Sequence, residues 1–138
     1  MIYFADTETV IKTFLLNSGV APLLKRTDGG TSIYNAMPSA SPVPALIAFQ
    51  VSGGPVQRKD LPEQQTRIQF DCWGKTRVQA GDIARTLMSE LEWLGRTGGT
   101  VIGGVYLGTA IIQSMRWFPE PDSDTPRYIV DALITTVT

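Results

Sequence analysis

Histidine is absent from the 138 residues. That removes at one stroke the usual general base, the usual transition-metal ligand and any Ser-His or Cys-His nucleophilic pair. Cysteine occurs once, at Cys72, so no intramolecular disulfide can form, as befits a reducing cytosol. Charge is sparse, at 18% of residues against roughly 25% in ordinary soluble domains. Such a surface has room reserved for other subunits. The 12 Lys and Arg nearly balance 13 Asp and Glu, leaving a formal net charge of −1 and no basic field to hold nucleic acid by its sequence. Met1 to Asp6 lacks the basic and apolar regions of a secretory signal, so export is not expected. Thr97 to Met115 is uncharged, but its glycines and its polar Thr100, Thr109, Gln113 and Ser114 dilute it below spanning hydrophobicity. Gly103-Gly104 between Val101-Ile102 and Val105-Tyr106 reads instead as a hairpin turn.

What is present is organised around Gln64 to Gly95. Thr66, Ile68, Phe70 and Cys72 alternate with Arg67, Gln69, Asp71 and Trp73, the pattern of a half-buried strand. After Gly74-Lys75, Thr76 and Gln79 form the Thr-x-x-Gln of a capping box. The helix they open carries Ala80, Ile83, Ala84, Leu87, Leu91 and Leu94 on one stripe and is expected to end at Gly95. A one-faced strand followed at once by a one-striped helix buries both by folding the helix over the sheet. The expected class is therefore α+β, two-layered, with a mainly antiparallel sheet of four to five strands and two helices packed on one face. A chain of this length can bury one sizeable core, so residues 1–138 are expected to form a single domain.

In chain order, Asp6 to Leu16 reads as a first helix with Asp6 as N-cap, stopped by Gly19 and Pro22. Leu23 to Pro44 is rich in turns, with a short edge strand at most over Thr31 to Asn35. Ala45 to Val51 is a strand apolar on both sides. The segment from there to about Gln65 reads as a long polar connection. Strands over Leu107 to Phe118 and Arg127 to Val137, joined by a turn over Pro119 to Pro126, close the chain.

Chemistry-bearing motifs are few. Cys72 lies on the apolar face of its strand with nothing beside it to lower its pKa, and reads as a core thiol. Gly74-Lys75-Thr76 mimics the tail of a phosphate-binding loop, and Ile129-Val130-Asp131 a magnesium-binding strand. The earlier glycine such a loop requires falls at Gln69, inside the alternating strand. Asp82, Glu90 and Glu92 do not converge on one helical face, so no metal cluster is expected. Catalytic, cofactor-binding and metal-ligating residues are thus all expected to be absent. Trp73, Trp93 and Trp117 read as core-edge packing, with interface anchoring as the alternative. The candidate assembly or lumen residues are the charged loop Arg58, Lys59, Asp60 and Glu63, and Arg67 and Asp71 on the polar side of the strand.

An N-terminal helix, then Pro44-Ala-Leu-Ile-Ala-Phe-Gln-Val-Ser-Gly-Gly54, a polar loop, Arg67-Ile-Gln-Phe-Asp-Cys-Trp-Gly74, and a helix opening Thr76-Arg-Val-Gln-Ala80 follow one another. In that order, and with the final strand Arg127-Tyr-Ile-Val-Asp-Ala-Leu-Ile, the chain resembles the tail-terminator (tail-completion, tail-to-head joining) proteins of long-tailed bacteriophages. The resemblance implies a structural, non-enzymatic virion subunit with no cofactor. It implies a hexameric ring that caps the finished tail tube, ends its polymerisation and meets the head-side neck or stopper protein, with genomic DNA passing through its lumen. It also implies assembly in the host cytoplasm, a place at the head-proximal end of the tail, and no membrane partner. The readings set against it are another head-tail connector component, such as a head-completion or neck protein, and a small ligand-binding module or enzyme on an α+β scaffold.

Overall fold

The computed structural model describes residues 5–38, 43–51, 56–57 and 63–138, with backbone alone at 56–57. Helix α1 spans Thr7–Leu16, and Asp6 caps it by accepting a hydrogen bond from the Thr9 backbone N–H at 3.3 Å. A 3₁₀ turn, Ala21–Leu24, leads to the two-residue strand β1, Ile33–Tyr34. Strands β2 (Ala45–Gln50), β3 (Val56–Gln57) and β4 (Glu63–Trp73) follow, then the long helix α2 (Arg77–Arg96). The strands β5 (Thr100–Ile102), β6 (Val105–Trp117) and β7 (Arg127–Val137) complete the chain.

All seven strands belong to one sheet in the order β1-β2-β4-β7-β6-β5, with β3 added alongside the start of β4. The class is α+β, but the sheet is mixed and larger than the four to five antiparallel strands expected. β1 runs parallel to β2, while every other pair is antiparallel. The additions are short: β1 lies within the edge strand expected over Thr31 to Asn35, β5 is the first arm of the hairpin expected at Gly103-Gly104, and only the two-residue β3 was not foreseen. Within the segment expected to be only a polar connection, Val56 and Gln57 fold back to pair with Gln65 and Gln64.

Both helices pack on one side of the sheet. Val10, Ile11 and Leu15 of α1 and Ile83, Ala84, Leu87, Leu91 and Leu94 of α2 share one buried cluster with Ile68, Phe70 and Cys72 of β4 and Val130, Ala132 and Ile134 of β7. These are the apolar stripes of the sequence, and they meet. The capping box forms with a one-residue offset: Thr76 Oγ1 accepts from the Gln79 N–H at 3.1 Å, while Gln79 Oε1 accepts from Lys75 N–H, just before the helix, at 2.7 Å. Gly74 is needed there, because a Cβ at that position would lie 2.4 Å from the backbone nitrogen of Ala80. The helix does not stop at Gly95. It runs through Arg96 to a Schellman-type end in which Gly98 and Gly99 take positive φ and Gly99 N–H bonds to the Leu94 carbonyl at 3.0 Å.

Leu87 is fully buried at the centre of this contact. Leu87→Ala is expected to cost about 2–5 kcal/mol by removing buried methyls and leaving a cavity. Urea unfolding followed by circular dichroism measures it, and a loss under about 1 kcal/mol would show that the α2 stripe does not carry the core.

Candidate functional site

The face of the sheet turned away from the helices carries polar residues beside a second, smaller buried cluster of Ala45, Ile47 and Trp73. On β4, Glu63, Arg67 and Asp71 share that face and are spaced about 13 Å apart along the strand. Three of the six sequence-derived candidates are thereby placed in one column. Arg58, Lys59 and Asp60 lie outside the described residues. The Arg67 side chain is exposed and forms no hydrogen bond or ion pair among the described residues, whereas Asp71 is buried.

Asp71 sits in a cluster that β4 and β7 assemble between them. Register places Trp73 opposite Arg127, Asp71 opposite Ile129 and Gln69 opposite Asp131. Gln69 Nε2 donates to Asp71 Oδ1 at 2.9 Å, and the Arg127 guanidinium lies 3.5 Å from Asp71 Oδ2 and 3.9 Å from Glu120. The same guanidinium stacks 4.8 Å from the Trp73 ring and 5.1 Å from the Phe118 ring, and its Nε donates to the Phe118 carbonyl at 2.9 Å. Arg127 therefore clasps the end of β4 to the end of β6 through one planar cation. Burial pushes the Asp71 carboxyl above its ordinary value; the Gln69 hydrogen bond and Arg127 pull it down, while Asp131 and Glu120 push it up, and burial prevails.

Beside this clasp, Asp131 accepts from Ser114 Oγ at 2.8 Å and pairs with Arg116 at 3.3 Å. Arg67, Gln69, Gln113, Ser114, Arg116 and Asp131 line a shallow concavity of about 400 Å³ on the helix-free face. A second concavity, of about 430 Å³, opens where the C-terminal ends of both helices meet β5, with Phe14, Trp93, Leu94 and Ile102 on its walls. Trp93 is 60% exposed there, while Trp73 is buried and Trp117 is held under Arg77 at 4.6 Å and against Tyr128 at 5.1 Å.

Over nearly its whole length the fold resembles a virion component. One similar chain comes from the virion of a native gene transfer agent (GTA) particle, with a TM-score of 0.66 over 93% of this chain and 92% of that one. The two are 14% identical, so the likeness is one of fold. No family model matches the chain, and no curated protein matches it in sequence.

Cys72 is fully buried, and desolvation, aided by Asp71, drives its thiol far above the usual range. Among the described residues no three His, Cys, Asp or Glu side chains gather as a metal site, and no helix is long and apolar enough to cross a membrane. Sequence reasoning missed Arg127, Glu120 and Phe118, because their partnership with Trp73 and Asp71 arises from strand pairing between distant segments. Asp131 stood out in the sequence only as the end of Ile129-Val130-Asp131, the mimic of a magnesium-binding strand.

The raised Asp71 pKa has a definite sign. The folded chain binds that proton more tightly than the unfolded chain, so the contribution is fully present below the ordinary carboxylate value and lost as pH rises through the folded one. At neutral pH, above the ordinary carboxylate value, Asp71 therefore costs stability. Asp71→Asn is expected to be more stable than the native chain at pH 7, with the advantage shrinking as pH falls toward the ordinary carboxylate value. Urea midpoints at the two pH values measure this, and a less stable Asp71→Asn at pH 7 would show that the pair with Arg127 outweighs the desolvation.

Proposed function

We propose that this chain is a structural subunit of a phage-like virion, and within it the protein that closes the tail. On this reading, copies form a hexameric ring on the last ring of a completed tail tube. The ring ends polymerisation of the tube and presents the surface that docks to the neck of the filled head. The role is one of shape and contact, with no bond made or broken and no cofactor used. The observation that carries it is the likeness in fold, across nearly all of both chains, to a component of a gene transfer agent virion. The order of sequence segments shared with tail-terminator proteins supports the narrower assignment.

The physical properties of the chain suit the task. A closed ring is built from one repeated heterologous contact, which needs different surfaces on the two flanks of the subunit. A helix-free polar face, with Glu63, Arg67 and the Arg116–Asp131 pair exposed to different degrees, supplies a surface that is neither core nor strongly charged. A net charge of −1 gives passing DNA no strong electrostatic hold. The ring's partners are then the tail tube protein on one side and the head-side neck or stopper protein on the other.

Electron microscopy of particles assembled without this subunit tests the assignment. Overlong tails, or tails of normal length detached from filled heads, are the expected result. Tails of normal length joined to heads would overturn it.

A further inference from the structure

The seven-stranded sheet has two flanks, and the chain treats them differently. On the β1–β2 flank, three outward backbone groups of β2 that leave the ladder are met by other parts of the chain. Leu46 N–H bonds to the Ser32 carbonyl at 2.9 Å, Asn35 Nδ2 donates to the Ala48 carbonyl at 2.9 Å, and Gln50 N–H donates to the Glu8 carboxylate at 2.7 Å. Along β2 that flank is covered.

The β6 flank is not. β5 covers three of the 13 residues of β6, at Val105 to Leu107, and from Gly108 to Trp117 no described residue hydrogen-bonds to the outward side of the strand. The uncovered stretch is about 30 Å long at roughly 3.3 Å per residue. Gly108 to Met115 carries no charge and no proline, the usual guards of an exposed edge. Arg116 is held by Asp131. Irregularities in register beside Gly108 and Gln113 kink the strand but do not cover it. Ile111 is 56% exposed on the helix-free side. On the helix side Ala110, Ile112 and Met115 of β6 and Met88 of α2 stay only partly buried against the core. The rim of the core is thus open along the same line as the unpaired backbone.

We propose that this edge receives an extended strand from a second copy of the chain, so that hydrogen-bonded sheet continues from one subunit into the next. Strand addition satisfies the free N–H and C=O groups and seals Ile112, Met115 and Met88 under the incoming backbone. The uncharged edge offers nothing to steer a charged partner, so its recognition is by backbone and apolar contact. The opposite flank of the same subunit is already covered along β2, so the donor strand comes from a different part of the neighbour, which makes the contact heterologous. The choice of a second copy as the occupant rests on the ring reading above, in which one such contact is repeated around an axis.

Hydrogen–deuterium exchange of the full chain, compared between its monomeric form and its assembled form on purified tail tubes, tests this. Amides between Gly108 and Trp117 are expected to slow by about tenfold or more on assembly. Ile111→Lys, at an exposed position, is expected to melt like the native chain yet to assemble about tenfold more weakly or worse. Assembly without protection of this segment, or normal assembly of Ile111→Lys, would overturn the proposal and leave the ring reading standing. A chain that stays monomeric at every concentration and on tubes would overturn both. Protection produced by tube protein alone, with one subunit bound per site and no contact between copies, would replace the second copy by the tube and also overturn it.

Discussion

The structure depends on the antiparallel pairing of β4 with β7, which runs without a break from Glu63↔Val137 to Trp73↔Arg127. Because side chains alternate between faces, that single register decides at once which residues meet the helices and which do not. It sets Ile68, Phe70 and Cys72 beside Ala132, Val130 and Tyr128 under α2, and it sets Gln69 and Asp71 beside Asp131 and Ile129 on the bare face. A slip of one residue would send the charged row into the core and the apolar row into water. Register is therefore fixed by burial, and the short strands at either flank follow from it.

The bare face shows how a sheet without a second layer copes with charge. Asp71 and Arg127 are both nearly sheltered, with side chains 10% and 12% exposed, and a pair of this kind is weak evidence for stability because desolvation offsets attraction. What distinguishes Arg127 is the number of different groups that define its place: two aromatic rings, a backbone carbonyl and two carboxylates. Such a planar cation tolerates no lysine in its stead. The clasp ties the ends of three strands together where the chain leaves the sheet for the turn before β7.

Much of this was legible in the sequence, for physical reasons that differ from element to element. The long strands β4 and β7 and both helices announced themselves because their period is sustained over several turns or pleats, and Asp6 and Thr76 marked the helix starts by their chemistry. The end of α2 was misplaced because Gly95 looks like a stop, whereas Gly98 and Gly99 adopt the left-handed backbone that ends the helix. β1, β3 and β5 are too short to carry a period; turn residues marked β1 and the Gly103-Gly104 hairpin marked β5, while nothing marked β3, which pairs along the edge that β4 offers. Of the candidate site, Arg67 and Asp71 followed from alternation alone, whereas Glu63, expected in the polar loop, joins their face because β4 begins there. The Arg127 clasp did not, since nothing local links position 127 to positions 71 and 73.

The burial of Cys72 carries a practical consequence. The chain's lone thiol is sealed beneath α2 and held protonated, so the native protein is a silent background for sulfhydryl chemistry. A cysteine introduced at any exposed position can then take a dye or spin probe as the single reactive handle, and subunit geometry becomes measurable by spectroscopy without first stripping the molecule of its own sulfur.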